Sequence, residues 1–237
     1  MTEYGAGRMA EQPRIDRDGE VFVMHLGDGE QRFNPDWVGA VLTLLDEVEA
    51  APAPRALVTT ATGKVWSNGL DLEWMGANVE QIQPFMTTVH ELLARFLGSN
   101  VPAVAALQGH TFAAGAMLAL AHDQRVMRAD RGFFCLPEVD IRIPFTPGMT
   151  ELVMCRIPKL TAHEAMTTGR RYGGADAAAC GLVDEAVDED RVLNAALERA
   201  RPLTAKDPAT LGAIKAGMYA SALTALRTQQ DFGVPPG

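Results

Sequence analysis

The spacing of hydrophobic residues along the chain predicts a series of short strands separated by helices. Residues 20–26 alternate around Val21 and Val23, which is the two-residue period of a strand with one buried face. Residues 55–60 and 102–107 are short, continuous apolar runs, typical of strands that are buried on both faces. Three further strands are predicted later in the chain, at residues 124–127, 132–135 and 182–187.

A wider spacing of apolar residues predicts helices between and after these strands. Residues 34–50 are the clearest case, because Asn34 can cap a helix and Pro35 suits its first position. Further helical patterns occupy residues 79–97, 111–123, 161–168, 175–179, 190–200 and 208–225. Strands and helices alternate up to residue 135 and helices dominate afterwards, which predicts an α/β fold. We place its core at residues 14–188 and a helical C-terminal region at residues 189–237.

Composition narrows the classes of function. The 237 residues carry a formal net charge of −9, so the chain has no general attraction for nucleic acid or anionic membranes. It has no run of about 18 apolar residues, and its first residues lack the apolar segment of a signal peptide. Cys135, Cys155 and Cys180 are not spaced as metal ligands or as a disulfide framework. We therefore expect a cytoplasmic protein with no metal site, no nucleic-acid partner and no membrane partner.

Two glycine-containing turns are candidates for holding a polarised oxygen atom. Residues 67–71 and residues 109–115 each follow a predicted strand and lead into a helix. Backbone N–H groups at the start of a helix have no partner within the helix, so they can bind an anion or a carbonyl oxygen. Two such turns side by side would form an oxyanion hole. Taken alone, each turn is weak evidence for such a site and is better explained by glycine that simply reverses the chain.

A carboxylate in an apolar stretch is the candidate for proton transfer. Glu138 follows Pro137 in a segment that is rich in hydrophobic residues. Apolar surroundings raise the pKa of a carboxyl group towards neutrality, which suits a general acid or base. A half-exposed surface glutamate remains the alternative. The apolar neighbours that favour the buried interpretation are Phe133, Phe134, Leu136, Val139 and Ile141.

These pieces together resemble the enoyl-CoA hydratase/isomerase (crotonase) superfamily over residues 20–187. Four motifs match in order and in spacing: Gln31–Asn34, Ser67–Leu72, Gly109–Asp123 with Ala114 in a usual glycine position, and Pro137–Glu138. The resemblance implies a spiral of ββα units with a helical C-terminal region that forms a homotrimer or a dimer of trimers. It also implies an acyl-CoA thioester as substrate and no further cofactor.

The resemblance implies roles for individual residues. The backbone N–H groups of Leu70 and Ala114 would bind the thioester oxygen, and Glu138 would move the proton. The extra methyl group at Ala114 would make the pocket slightly tighter there. The residues expected to bind substrate or coenzyme A are Arg32, Lys64, Ser67, Asn68, Gly69, Asp71 and Met117. Arg32 and Lys64 are candidates for phosphate contacts, with solvated surface charge as the alternative. For Asp71, a role as helix cap or first-turn acid is favoured over a catalytic one.

A departure from the family pattern at Met117 favours isomerisation over hydration. Hydratases of this family carry a second glutamate where this chain has Met117, and a thioether can neither deprotonate nor orient water. Moving a double bond from Δ3 to Δ2 needs only one proton shuttle. The segments Ser67–Trp74, Gly109–Gly115 and Asp130–Phe133 are also similar to plant peroxisomal Δ3,Δ2-enoyl-CoA isomerases, although the chain does not end in Ser-Lys-Leu.

The sequence therefore predicts an enoyl-CoA isomerase and leaves two alternatives open. The first is an enoyl-CoA hydratase of the fatty-acid β-oxidation type, in which Asp140, Glu151 or a water network replaces the missing acid. The second is a catalytically silent acyl-CoA-binding paralogue.

Overall fold

The computed structural model describes residues 11–228, which form two main sheets and the helices around them. The strands are β1 (Arg14–Asp18), β2 (Val21–His25), β3 (Arg32–Phe33), β4 (Ala56–Thr60), β5 (Val65–Ser67), β6 (Gly69–Leu70), β7 (Ala103–Leu107), β8 (His110–Phe112), β9 (Gln124–Arg128), β10 (Phe134–Cys135) and β11 (Glu185–Val187). The helices are α1 (Pro35–Ala50), α2 (Leu72–Ala77), α3 (Ile82–Gly98), α4 (Ala114–Ala121), α5 (Glu138–Ile141), α6 (Pro147–Arg156), α7 (Lys159–Thr168), α8 (Gly174–Ala179), α9 (Val192–Ala200), α10 (Pro208–Met218) and α11 (Ala220–Arg227).

The larger sheet has six strands in the order β1-β2-β4-β7-β9-β11. β1 pairs antiparallel with β2, and every other pairing in this sheet is parallel. All residues of β4 and β7 are buried, because helices cover both faces of the sheet at its centre. The continuous apolar runs that predicted these strands therefore reflect their central position.

A smaller parallel sheet, in the order β10-β8-β5, lies beside the larger one, and β3 pairs with β6 as a separate parallel ribbon. The chain repeats one path: a strand of the larger sheet, a strand of a smaller one, then a helix. It does so through β4, β5 and α2, through β7, β8 and α4, and through β9, β10 and α5. The predicted α/β spiral of ββα units is confirmed.

Several predicted boundaries are wrong for identifiable reasons. Residues 111 and 112 belong to β8 and not to the following helix, because they pair with β5 and β10. The helix predicted at residues 208–225 is two helices, since Tyr219 leaves the helical conformation at φ −110° and ψ 20°. α6 and the single turn of α5 had no clear apolar periodicity and were not predicted.

The division at residue 188 stays a prediction. α9, which follows it, packs against β4, β7 and β9 of the larger sheet, and α11 packs against α3 and α6. The predicted C-terminal region extends past Thr228, so its last residues lie outside the described part of the chain. Within residues 11–228, no helix combines the length and the hydrophobicity needed to cross a bilayer.

Candidate active site

The carboxyl ends of the three small-sheet strands bring the predicted chemical groups to one edge. β8 lies between β5 and β10, with Thr111 opposite Ser67 and Phe112 opposite Cys135. Since all three strands are parallel, the segments that follow them leave the sheet on the same side. These segments carry Leu70, Ala114 and Glu138, the three groups that the sequence had separated by up to 68 positions.

The first turn is held in place by the hydroxyl group of Ser67. This side chain is fully buried, donates a hydrogen bond to the backbone oxygen of Gln31 at 2.8 Å, and accepts one from the N–H of Gly69 at 3.1 Å. The N–H of Asp71 donates to the oxygen of Phe33 at 2.9 Å. The hydroxyl of Ser67 therefore fixes the turn, and its role is positional within this structure.

Gly69 brings the first turn against the second. Its φ of +76° is a conformation that side chains rarely adopt, and a β-carbon at this position would lie 2.7 Å from the amide nitrogen of Ala114. Gly115 allows a similar approach from the other side, because a β-carbon there would lie 2.6 Å from the Ser67 hydroxyl oxygen. Only glycine at both positions lets the two turns stack directly.

The second turn passes through an unusual backbone conformation at Ala113. Its φ of 52° and ψ of −127° match the first central residue of a type II′ turn, a position dominated by glycine. Ala114 is the first residue of α4, where backbone N–H groups have no helical acceptor. We expected a departure from glycine to matter at Ala114, whereas the structure places the backbone strain at Ala113.

Glu138 begins α5 and is buried, with 6% of its surface exposed. Its Oε2 atom has no hydrogen-bond partner among the described residues. Burial raises the pKa of this carboxyl to about 7, and a hydrogen bond from its own backbone N–H opposes the shift. At neutral pH the group is therefore poised between its acid and its base form.

The prediction that apolar sequence neighbours surround Glu138 is only partly correct. Phe134 and Leu136 are fully buried, but Phe133, Val139 and Ile141 are 38%, 49% and 43% exposed. Because α5 is a single helical turn, Val139 and Ile141 point away from the core while Glu138 points into it. Val139 and Ile141 therefore contribute little to the burial of the carboxylate, and α5 packs against α7.

Met117 lies one helical turn after Ala113, and its N–H donates to the oxygen of Ala113 at 3.0 Å. Its side chain is 1% exposed and belongs to the main hydrophobic core. The two acids considered as substitutes, Asp140 and Glu151, are both exposed. The structure thus gives Met117 a packing role beside the second turn.

Two other predicted binding residues have clear local contacts. Asp71 caps α2, because its Oδ1 accepts a hydrogen bond from the N–H of Trp74 at 3.0 Å. Asn68 is half-buried, and its N–H donates to the oxygen of Glu30 at 3.0 Å. Asp71 therefore has the capping role that its sequence position allowed.

The two predicted phosphate ligands line different cavities. Arg32 pairs with Glu30 at 2.6 Å beside a cavity of about 290 Å³ whose lining also includes Glu11 and Asp36. Three acids in that lining make it a poor site for an anion. The other cavity, of about 180 Å³, is lined by Lys64 together with Gln108, Gly109, Arg128, Arg131, Gly132 and Glu189.

The cavity at Lys64 carries more positive charge than negative. Arg128 is neutralised by Asp130 at 2.6 Å and by Glu189 at 2.5 Å. Lys64 and Arg131 make no ion pair with any residue of the described range 11–228. Three cations, Lys64, Arg128 and Arg131, face two acids, Asp130 and Glu189, so the cavity has one net positive charge in an otherwise acidic chain.

Two residues lie in segments that the sequence singled out, but their individual structural roles were not predicted. Gln31 is buried at φ 44°, and its side-chain amide donates to the oxygens of Gly27 at 3.0 Å and Val65 at 3.3 Å, linking the loop before α1 to β5. The strained backbone of Ala113 could not be predicted, because alanine favours a helix. The strain depends on pairing with strands that are distant in sequence.

Comparison with known proteins agrees with this geometry. The family model for enoyl-CoA hydratase/isomerase matches residues 18–234. Enoyl-CoA delta isomerase 2, peroxisomal, from Arabidopsis thaliana is 35% identical over 204 residues, covering 81% of this chain and 85% of its own. Human mitochondrial delta3-delta2-enoyl-CoA isomerase superimposes with a TM-score of 0.86 at 26% identity, covering 92% of this chain and 87% of its own.

A relative named for the other reaction is also similar. An enoyl-CoA hydratase from Mycobacterium marinum superimposes with a TM-score of 0.84 at 26% identity, covering 92% of this chain and 96% of its own. Fold and family therefore agree, while relatives carry the names of both activities. The chain belongs to the enoyl-CoA hydratase/isomerase family.

Proposed function

We propose that this protein moves the double bond of an enoyl-CoA from Δ3 to Δ2, with Glu138 as the single proton shuttle. The observation that carries the proposal is the buried Glu138 carboxyl, whose Oε2 lacks a partner and whose pKa is raised to about 7, together with Met117 where a hydration reaction would need a second acid. A carboxyl with a pKa near the working pH is suited both to accept and to return a proton.

The reaction balances with one carboxyl group. The Glu138 carboxylate removes a proton from C2, and the electron pair moves through the conjugated system onto the thioester oxygen. The N–H groups of Leu70 and Ala114 stabilise this oxyanion. The carboxylic acid then returns the same proton at C4, the thioester carbonyl re-forms, and the double bond lies between C2 and C3. No metal, flavin or nicotinamide takes part in this scheme.

Hydration is the second candidate, because a similar structure carries a hydratase name. Hydration would require a group that orients and deprotonates water opposite Glu138. Met117 is apolar, and Asp140 and Glu151 are exposed. The residues therefore support isomerisation over hydration, and a silent binding paralogue has no supporting feature.

The cavity at Lys64 is the proposed place for the phosphate groups of coenzyme A. Lys64 and Arg131 make no ion pair with a described residue, and the cavity keeps one net positive charge after Asp130 and Glu189 are counted. We expect Lys64→Gln to raise KM for a coenzyme A ester and to leave KM for the matching pantetheine ester unchanged. An equal rise with both esters would contradict this assignment.

The proposed assembly is a homotrimer or a dimer of trimers in the cytoplasm. Ile214 and Met218 lie one turn apart on α10 and are 52% and 65% exposed, and Leu160 on α7 is 86% exposed. Large exposed apolar side chains favour burial against another subunit. Light scattering on the purified chain tests the assembly, and a monomeric mass would contradict it.

Replacing Glu138 tests the central role directly. We expect Glu138→Gln to abolish turnover while leaving binding of a coenzyme A ester nearly unchanged, because the oxyanion donors belong to the backbone. Glu151→Gln, an exposed acid on α6, is the matched control and retains full turnover. Turnover retained in Glu138→Gln would rule out Glu138 as the base, and loss in Glu151→Gln would revive the second acid.

A further inference from the structure

We propose that the methyl group of Ala113 is a positioning group that couples the two turns of the oxyanion hole. The inference rests on the proposed function, because it assigns a role within the same site. It concerns the one residue of the second turn that combines a side chain with a conformation suited to glycine.

The backbone at Ala113 is held in its strained conformation from two directions. Its N–H donates a hydrogen bond to the oxygen of Cys135 at 3.0 Å, and its own oxygen accepts one from the N–H of Met117 at 3.0 Å. The first bond ties the turn to the strand that leads to Glu138, and the second belongs to α4. Strained residues persist only when surrounding structure holds them in place in this way.

The methyl group itself lies against the first turn. The three atoms nearest to a β-carbon at Gly69 would be the amide nitrogen of Ala114 at 2.7 Å, the oxygen of Phe112 at 3.0 Å and the methyl carbon of Ala113 at 3.1 Å. The methyl carbon of Ala113 therefore lies on the side of Gly69 that a side chain would occupy, directly before Leu70.

Glycine at position 113 would adopt the same φ and ψ without strain, so alanine costs stability at this position. What alanine provides in return is a methyl group beside Gly69 and a narrower range of backbone conformations. Both effects would hold the N–H of Ala114 at a fixed distance from that of Leu70. Positioning of donors before the reaction is the main contribution of an oxyanion hole.

The test compares Ala113→Gly with two matched variants. Ala113→Gly is expected to raise the melting temperature by a few degrees, because relief of the strain outweighs the added chain entropy, and to lower kcat about tenfold with little change in KM. Ala113→Ser keeps a β-carbon and is expected to retain most of kcat. Ala119→Gly, in the interior of α4, is expected to lower the melting temperature and to leave kcat unchanged.

A spectroscopic readout separates positioning from stability. The infrared carbonyl band of bound, ¹³C-labelled butyryl-CoA, which has no double bond to move, reports how strongly the oxyanion hole polarises the thioester. We expect a lowered frequency in the native protein and a smaller, broader shift in Ala113→Gly. An unchanged band and unchanged kcat in Ala113→Gly would overturn the role of Ala113. A native protein that binds butyryl-CoA without lowering the band would overturn the oxyanion hole, and with it the proposed function.

Discussion

At the scale of single residues, the site depends on the environment of one carboxyl group. Glu138 has the same carboxyl group as any glutamate. Its burial beside the small sheet raises the pKa of that group to about 7. The Pro137–Glu138 motif was enough to identify Glu138 as the candidate for proton transfer. Its burial could not be predicted from the neighbouring residues, because Val139 and Ile141, which suggested an apolar pocket, are largely exposed.

The pH dependence of turnover follows from this raised pKa. In the proposed reaction Glu138 must be ionised to take the C2 proton, so we expect kcat/KM to rise with pH and to level off above an apparent pKa near 7. Below that value, activity falls tenfold for each pH unit. A steady-state pH profile measures this directly. A plateau reaching down to pH 5 would show that the essential base is an ordinary exposed carboxylate.

The proposed choice of isomerisation over hydration rests on Met117. We expect Met117→Glu to raise hydration of trans-2-enoyl-CoA, because it returns a second acid to the first turns of α4. The variant is also expected to lose stability, since Met117 is fully buried and a lone carboxylate is costly to bury. Met117→Gln is the control, with similar size and no acid. Equal hydration by the two variants would contradict the missing-acid explanation.

At the scale of elements, two short turns and the sheet beneath them create the geometry. The motifs around Gly69 and Gly115 predicted that turns lead into helices there. The sequence did not predict that residues 111 and 112 pair as a strand, because the alanine-rich run after them favours a helix. Pairing with β5 and β10, which are distant in sequence, determines where α4 begins.

Stacking of the two turns leaves no room for a side chain at Gly69. We expect Gly69→Ala to lower stability by about 2 kcal/mol or more and to reduce kcat by at least tenfold, because φ is +76° and the new methyl would meet the amide of Ala114. Thermal unfolding and steady-state kinetics measure the two effects. Gly76→Ala on α2, where nothing lies within 4 Å, is the control and should be neutral or slightly stabilising. Native activity in Gly69→Ala would contradict the stacked arrangement.

At the scale of the whole molecule, a buried ion pair ties the C-terminal helices to the core. Lys215 on α10 is 3% exposed, and its Nζ lies 2.7 and 2.8 Å from the two carboxylate oxygens of Asp123, between α4 and β9. Asp123 also accepts a hydrogen bond from the N–H of Ala103 at 2.8 Å. The helical character of this region was predictable, whereas the ion pair joins positions 92 residues apart and had no local signal.

Breaking this pair is expected to loosen the attachment of the C-terminal region. Lys215→Met should cost roughly 3 kcal/mol of folding free energy, because it leaves Asp123 partly buried without its cation. Denaturant unfolding measures the loss, with Lys206→Met at an exposed position as the control. A change no larger than that of the control would show that the pair contributes little to stability.

The most direct test of the central claim is a paired assay on the purified native protein. One sample contains trans-3-enoyl-CoA and is followed by the rise in absorbance of the conjugated thioester. The other contains trans-2-enoyl-CoA and is followed by the loss of that absorbance. A single-glutamate isomerase gives isomerisation without hydration. Efficient hydration of trans-2-enoyl-CoA, or no reaction with trans-3-enoyl-CoA while coenzyme A esters still bind, would contradict isomerisation by a single glutamate.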